Sequence, residues 1–251
     1  MQYGLEGRTA LVTGAARDVG RQIALTLAAE GARVAVNYNK SQAEAEAVVR
    51  EIEKAGGTAM LVKGDVADHA SVLAMVEKIV AAWERIDILV NNAGLVLRKR
   101  FLETTAKDWD AQINVGLYGV IHTCHAVLPH MMKNEFGRII NLCGDSARVG
   151  ESGLAVTASS RAGALALSKS LAKEFGRNNI TVNAVAFGLV ETAHNDPKWL
   201  EANAAKILPM YPLRRIGKPA DVAPMVAFLA SSGAAWITGQ VVSVNGGFSM
   251  V

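Results

Sequence analysis

The 251-residue sequence predicts an α/β fold, a doubly wound parallel sheet of seven strands with helices on both faces. Two observations predict this fold. Short runs rich in β-branched residues alternate with amphipathic helical stretches along the whole chain. The clearest run, residues 86–90 with the sequence Ile-Asp-Ile-Leu-Val, is almost continuously apolar, which is typical of a parallel strand covered on both faces. Right-handed crossovers between such strands produce a doubly wound sheet.

Seven runs are predicted as strands. They comprise residues 9–13, 33–38, 58–62, 86–91, 138–142, 181–186 and 241–244. The stretches between them are predicted as helices, because apolar and Ala positions recur at helical spacing among charged residues, as in residues 41–55. No linker or internal repeat interrupts the alternation, so we expect a single domain over residues 1–251.

Residues 187–212 break this alternation. An irregular stretch is followed there by a short helical run from about Trp199 to Ile207. A loop with a helix after the carboxyl end of a strand is a usual place for substrate selection. We therefore expect this segment to form a substrate lid.

Composition argues against several classes of function. The formal net charge is only +3, and the Lys and Arg residues are scattered, so no basic stripe indicates nucleic-acid binding. The start of the chain has no apolar signal segment, and no later stretch approaches the roughly 18 apolar residues of a membrane span, so we expect a cytoplasmic protein. The cysteines, Cys124 and Cys143, lack Cys-x-x-Cys spacing, so we expect buried, reduced thiols and no metal site.

A glycine-containing turn follows the first strand. Residues 13–20 read Thr-Gly-Ala-Ala-Arg-Asp-Val-Gly and lead into an amphipathic helix. Glycines in such a turn let the chain bend tightly and let backbone N–H groups approach a diphosphate at the helix N-terminus. The motif resembles the Thr-Gly-x-x-x-Gly-x-Gly motif of the short-chain dehydrogenase/reductase family, and this resemblance implies a Rossmann-like fold and an NAD or NADP cofactor.

Asp18 stands where the family has its middle glycine. A carboxylate about 5 Å from a diphosphate charge repels it by roughly 3 kcal/mol at an effective dielectric near 20, enough to weaken binding by about a hundredfold. Asp at the start of a helix is also a good N-cap, so we expect Asp18 to cap the first helix. We therefore expect either no cofactor or weakly bound NADP or NAD.

Other elements also resemble the family, and the resemblance covers the whole chain. Asn-Asn-Ala-Gly follows the fourth strand, and residues 237–247 match the family's carboxyl end. Phe187 replaces the family's Pro, and its ring is expected to intrude on the nicotinamide. The second strand lacks the acid that holds the NAD ribose, so Arg17 and Lys40 favour NADP. The resemblance implies cofactor contacts at Gly14, Arg17, Asp18, Val19, Gly20, Asn37, Asp65, Val66, Asn92, Ala93, Gly94 and Gly188.

The family's proton-transfer residues are largely replaced. The family sequence Tyr-x-x-x-Lys-Ala-Gly becomes Thr157, Arg161 and the following Ala-Gly, and the Ser thirteen residues before the Tyr becomes Gly144. Asn114 matches the fourth residue of the family's catalytic tetrad. A Thr hydroxyl does not titrate in the usable range, and loss of a general acid or base costs about 10²- to 10⁴-fold in rate.

The first hypothesis is accordingly a degenerate subunit, similar to a 3-oxoacyl reductase, with little or no hydride transfer of its own. It would support an active paralogue of the hydroxyacyl-CoA or ketoacyl-thioester type in a hetero-oligomer. In the family, helices corresponding to residues 107–132 and 157–177 commonly pack against partner subunits. The resemblance therefore implies a tetramer, with a paralogue or with itself, and an acyl-CoA or another small molecule as substrate.

Two alternatives stay open. One is an active NAD(P)-dependent oxidoreductase on a carbonyl or secondary alcohol, in which water, or Thr157 with Arg161, relays the proton. The other is a non-redox enzyme or small-molecule binder that uses Asp145 and Glu151 with Arg161. The loop that carries these two acids is expected to be polar and solvated.

Overall fold

The computed structural model describes residues 3–193, 195 and 197–251. Seven strands form one sheet in the order β3-β2-β1-β4-β5-β6-β7, and every neighbouring pair is parallel. The predicted doubly wound α/β fold is therefore confirmed. The strands are β1 (Thr9–Val12), β2 (Arg33–Tyr38), β3 (Thr58–Lys63), β4 (Ile88–Asn91), β5 (Gly137–Gly144), β6 (Ile180–Phe187) and β7 (Val241–Val244).

Helices cover both faces of the sheet. One apolar core lies between the sheet and α1, α2 and α9, and a second lies between the sheet and α3, α5 and α7. Because the strands are buried on both faces, they read as apolar runs in the sequence. The helices are α1 (Asp18–Ala29), α2 (Gln42–Lys54), α3 (His69–Trp83), α4 (Ala106–Ile113), α5 (Gly119–Lys133), α6 (Ser146–Val149), α7 (Ala155–Phe175), α8 (Pro197–Ile207) and α9 (Pro219–Ala230).

The first of the two long predicted helices is interrupted. A π-helical turn at Asn114–Tyr118 separates α4 from α5. Such a turn widens the helix by one residue and is frequent at functional sites. The second long helix, α7, is continuous from Ala155 to Phe175.

The winding of the sheet reverses between β1 and β4. These strands are neighbours, with Ala10 beside Ile88 and Val12 beside Val90, although three helices and two strands separate them in the chain. Loops leave the carboxyl ends of β1 and β4 in opposite directions and open a crevice, where ligands of such sheets bind. Within residues 3–193, 195 and 197–251, no helix is long and apolar enough to cross a membrane.

Candidate active site

Thr13 organises the turn after β1. Its buried hydroxyl accepts the backbone N–H groups of Asn92 and Ala93, both at 3.0 Å, and donates to the carbonyl oxygen of Val90 at 3.3 Å. The side-chain amide of Asn92 donates to the carbonyl oxygens of Thr13 and Gly14, each at 3.0 Å. The carboxyl ends of β1 and β4 are thus joined into one rigid edge.

The two glycines of this turn are required by close packing. Gly14 has a φ of +61°, and a Cβ there would lie 3.1 Å from the Cα of Ala93. A Cβ on Gly20 would overlap the carbonyl oxygen of Gly14 and the side-chain nitrogen of Asn92. The turn therefore keeps the tight shape that brings α1 close to the sheet.

Asp18 does not cap its own helix, contrary to the expectation. The N-cap residue of α1 is Arg17, which makes no side-chain cap hydrogen bond, and Asp18 is the first helical residue, with a φ of +52°. Its Oδ1 instead accepts the backbone N–H of Ala193 at 2.8 Å. The carboxylate of this first helical residue therefore bonds to the segment that follows β6.

The Asn37 side chain is buried and used in hydrogen bonds within the protein. Its buried amide donates to the carbonyl oxygens of Val62 and Gly64, at 3.3 and 3.1 Å, and its Oδ1 accepts the N–H of Gly14 at 3.1 Å. The side chain is therefore committed to joining β2, β3 and the glycine turn. The exposed cations nearest in sequence to the predicted ribose region are Arg17 and Lys40.

Two further predicted cofactor residues lie at the crevice with limited side-chain access. Asp65 closes a turn after β3, where its Oδ1 accepts the N–H of Ala67 at 3.0 Å. Val66 is buried, and its carbonyl oxygen is 3.0 Å from Nδ1 of His122. Val19 is also buried and packs in the core beneath α1, so only its backbone can face a ligand.

Thr157, at the predicted proton-transfer position, lies near the start of α7 and is only 4% exposed. Its hydroxyl donates to Oε1 of Gln112 at 2.5 Å. Gln112 is buried on α4, where Nε2 donates to the carbonyl oxygen of Asp108 at 3.1 Å and Oε1 accepts the N–H of Leu97 at 3.4 Å. Thr157 is thus held by a polar partner that sequence reasoning missed.

Arg161 is a buried cation, 8% exposed. Nη1 donates to the carbonyl oxygen of Leu142 at 2.9 Å, and Nη2 donates to that of Ala93 at 3.4 Å, so the guanidinium bridges the ends of β5 and β4. Burial lowers the pKa of Arg161 from its usual value. A Cβ on Gly94 would overlap Nη2, so this glycine makes room for the longer side chain.

The other two tetrad positions lie beside this pair. Gly144 ends β5, and a Cβ there would meet no heavy atom closer than 3.5 Å. Asn114 is exposed at the first residue of the π-helical turn. That turn packs on α7, since a Cβ on Gly116 would be 2.7 Å from Oγ of Ser160. The structure therefore brings all four predicted catalytic positions to one edge of the sheet.

Asp145 is not part of a solvated loop, contrary to the expectation. It is 2% exposed, and its Oδ2 accepts the side-chain amide of Asn245 at 2.6 Å. Its Oδ1 has no hydrogen-bond partner among the described residues. Burial under the chain end removes Asp145 from the surface where a base of a non-redox reaction would act, while Glu151 stays exposed and pairs with Arg98.

The half-buried Phe187 ring packs against the core formed with α1 and α9, and its intrusion on the nicotinamide stays a prediction. Gly188, the next residue, packs against Tyr211, whose hydroxyl oxygen accepts the N–H of Leu189 at 2.9 Å. Burial raises the pKa of Tyr211. A cavity of about 450 Å³ is lined by Gly188 and other residues between β6 and α9, by the start of α9 and by residues 243–247.

Both cysteines are buried and free, as predicted. Burial raises the pKa of Cys124 and of Cys143 to about 12. A thiol with so high a pKa is a poor nucleophile at neutral pH.

Gln112 and Asn245 were not predicted as site residues, and Tyr211 was predicted only as part of the substrate lid. Gln112 carries a weak signal, because it lies two residues before Asn114 on the helix that leads into the site. Asn245 and Tyr211 act through partners 100 and 22 residues away, so no local pattern marks them.

Comparison with known proteins shows which family this chain resembles. The family described as Enoyl-(Acyl carrier protein) reductase matches residues 14–249. The 3-oxoacyl-[acyl-carrier-protein] reductase FabG of Staphylococcus aureus is 42% identical over 97% of this chain and 98% of its own. The corresponding Synechocystis reductase is 40% identical over 98% of both chains, and the Thermotoga maritima FabG is 38% identical over 97% of this chain and 98% of its own.

A solved structure gives the same result. A protein of Sinorhizobium meliloti 1021, assigned provisionally as a short-chain alcohol dehydrogenase, superposes with a TM-score of 0.94 at 33% identity. The match covers 99% of this chain and 98% of that one.

These relatives overturn the first functional hypothesis. The prediction of a degenerate subunit with little or no activity is wrong, because full-length relatives at about 40% identity carry the name of a reductase. The prediction gave three substituted positions more weight than the rest of the chain. From the glycine turn to its last strand, the chain belongs to the short-chain dehydrogenase/reductase family of oxidoreductases.

Proposed function

We propose that this protein is an active NAD(P)-dependent oxidoreductase that interconverts a carbonyl and a secondary alcohol, with an acyl thioester of the 3-oxoacyl type as substrate. The observation that carries the proposal is the identity of about 40%, over nearly the full chain, with relatives named as 3-oxoacyl reductases. The glycine turn and the residues after β4, which together form a cradle at the carboxyl ends of β1 and β4, support the proposal.

The cradle fits a dinucleotide except at one side chain. Gly14 and Gly20 occupy positions where a Cβ would collide, and the N-terminus of α1 favours a diphosphate. Asp18 is the misfit, since its carboxylate adds negative charge at that end. The exposed Arg17 and Lys40 favour the additional phosphate of NADP.

The other proposed cofactor contacts follow one another along the crevice. Asp65 and Val66 would hold the adenosine end, and Asn92, Ala93 and Gly94 would line the middle, with Gly188 at the nicotinamide end. When bound, the nicotinamide donates or accepts the hydride at the substrate carbon.

We infer that water supplies the proton in place of the family's Tyr. The Thr157 hydroxyl already donates to Gln112, which leaves its lone pairs to accept a hydrogen bond from that water. The water gives a proton to the substrate oxygen as the hydride reaches the carbon, and the hydroxide that remains regains a proton from bulk solvent. Arg161 keeps a positive charge at the ends of β4 and β5, where it favours the developing alkoxide.

The cavity after β6 supports an acyl substrate. Its volume of about 450 Å³ is within the usual range for small-molecule sites, and Leu189, Val190 and Leu213 give it apolar walls. Gly188 lines this cavity, so a chain bound there would lie next to the nicotinamide end of the crevice.

We also infer self-association through α5 and α7. Exposed apolar side chains lie along the π-helical turn and α5, namely Tyr118, Ile121 and Met132. Apolar faces of this kind are buried in homo-oligomers. Sedimentation of the purified chain tests this, and a monomer at micromolar concentration would contradict it.

A titration tests the cofactor assignment. We expect the purified protein to enhance NADPH fluorescence with saturation, and to bind NADH more weakly because Arg17 and Lys40 find no ribose phosphate. An Arg17→Ala, Lys40→Ala double variant should lose this preference. Absence of binding at millimolar NADPH and NADH would contradict the proposed function.

A further inference from the structure

The Asp18 carboxylate joins two segments that are 175 residues apart in the chain. Its Oδ1 accepts the backbone N–H of Ala193 at 2.8 Å, and Arg17 Nε lies 3.9 Å from Oδ2. The Asp18 side chain is 19% exposed. We name the hydrogen bond between Asp18 and Ala193 the Asp18–Ala193 tie.

The tie depends on an unusual backbone. A φ of +52° lies in the left-handed region that favours glycine, so a side chain at this position is strained. With glycine here, the turn would lose the side-chain oxygen that accepts the Ala193 N–H. Asp18 adds both the reach and an acceptor for an N–H group.

The tie also places a negative charge at the start of α1. The N-terminus of a 12-residue helix offers unsatisfied N–H groups and a positive dipole end to an anion. The Asp18 carboxylate and a bound diphosphate would both lie in this region. Like charges repel strongly at the partly buried edge of a sheet. The Asp18 carboxylate and a bound diphosphate would therefore destabilise each other there.

We propose that Asp18 is a positioning residue that couples the segment after β6 to cofactor binding. The carboxylate holds Ala193 on the glycine turn while no diphosphate is present. When the diphosphate takes the N-terminus of α1, Asp18 turns towards solvent and releases the Ala193 N–H. This proposal rests on the proposed function, since it requires a dinucleotide.

Two substitutions separate the charge from the tie. Asp18→Asn keeps an oxygen that accepts the Ala193 N–H but removes the charge. Asp18→Gly removes both and suits the positive φ. Asp68→Asn is the matched control, because Asp68 also accepts a backbone N–H at a helix start, that of Ala70 at 3.0 Å, without a contact to the segment after β6 among the described hydrogen bonds.

The first measurement is residue-resolved amide hydrogen exchange at Ala193, with and without saturating NADPH. In the unsubstituted protein and in Asp68→Asn, exchange should be slow without NADPH and faster with it. Asp18→Asn should exchange slowly in both states, and Asp18→Gly rapidly in both. The second measurement is the Kd for NADPH, which should fall about tenfold or more in both Asp18 variants.

The outcomes separate this inference from the proposed function. Equal exchange in Asp18→Gly and the unsubstituted protein without NADPH would overturn the tie itself. NADPH binding by all four proteins with unchanged exchange at Ala193 would overturn the coupling alone. If none of the four bound NADPH, the coupling and the proposed function would both be wrong, while the exchange rates without NADPH would still report on the tie.

Discussion

Thr157 uses its only hydroxyl proton in the bond to Oε1 of Gln112. The orientation of the Gln112 amide follows from two backbone partners, the N–H of Leu97 on Oε1 and the carbonyl oxygen of Asp108 on Nε2. An amide oxygen does not take up a proton near neutral pH, so a proton path through Thr157 ends there. Under the proposed function, Thr157 therefore orients water and does not act as the acid.

Thr157→Val tests this role. We expect turnover to fall less than about tenfold, because water still supplies the proton, and stability to fall by about 1 kcal/mol, because Gln112 loses a donor. Thr157→Ser should restore both. Ser159→Ala is the control, since its exposed hydroxyl donates to the carbonyl oxygen of Ala155 in its own helix. A loss of a hundredfold or more in Thr157→Val, measured by steady-state kinetics, would make Thr157 the acid itself.

Substitutions at Gly94, just after β4, and at Gly144, the last residue of β5, should differ in their effect on stability. In Gly94→Ala the new Cβ meets the buried Arg161 guanidinium, so we expect a loss of about 2 kcal/mol or more in the free energy of unfolding. In Gly144→Ser the nearest atoms are Oγ of Ser146 at 3.5 Å and the Phe187 carbonyl oxygen at 3.8 Å, so stability should change by less than about 0.5 kcal/mol. The new hydroxyl should also raise turnover, because it can donate to the substrate oxygen. Urea unfolding and activity assays on both variants check this pair.

The start of α9 carries a carboxyl group, Asp221, whose contribution to stability depends on pH. Two hydrogen bonds from the Arg215 guanidinium, at 2.6 and 2.7 Å, and one from the Lys218 N–H lower the pKa of Asp221 to about 2, from an ordinary 3.8. A lowered carboxyl pKa stabilises the fold above about pH 4, and the contribution disappears as the pH falls towards 2. The pair is exposed, so screening limits this contribution to about 1 kcal/mol. Asp221→Asn should therefore lose stability at pH 7 but not at pH 2, and an equal loss at both would contradict the pairing.

The thiols of β5 and α5 give a second pH dependence, with the opposite sign. Burial raises the pKa of Cys143 and of Cys124 from 9.0 to about 12, so the folded state prefers the neutral thiols. Their contribution is complete below about pH 9 and is lost as the pH rises towards 12. Native protein at pH 9 should react with iodoacetamide at least about tenfold more slowly than protein unfolded in urea. Equal rates would show that the thiols are accessible.

The elements themselves followed from the sequence to different degrees. Strands were predictable because β-branched runs such as 33–38 are buried on both faces, and that prediction matches β2 residue for residue. The π-helical turn at Asn114–Tyr118 was not predictable, because its residues continue the apolar pattern of the flanking helices. The burial of Asp145 was also missed, because Asn245, which covers it, is 100 residues away.

For the whole molecule, the order of the strands explains why the predicted site residues converge. Placing β1 beside β4 and β4 beside β5 gathers the glycine turn, Gly94, Gly144 and Arg161 at one edge. The sequence could predict this gathering through its resemblance to the family. It could not predict the Asp18–Ala193 tie or the bond between Thr157 and Gln112, since each joins elements whose relative positions only the fold determines.

The central question is whether the chain is active although three positions of the family's catalytic tetrad are substituted. The measurement that tests it most directly is NADPH oxidation by the purified chain in the presence of a 3-oxoacyl thioester, with quantification of the 3-hydroxyacyl product. We expect substrate-dependent oxidation, with one hydroxyacyl product per NADPH consumed, at a rate about 10²- to 10⁴-fold below that of a relative that has the Tyr. Saturable NADPH binding without any substrate-dependent oxidation above the background rate would contradict the proposal of an active oxidoreductase.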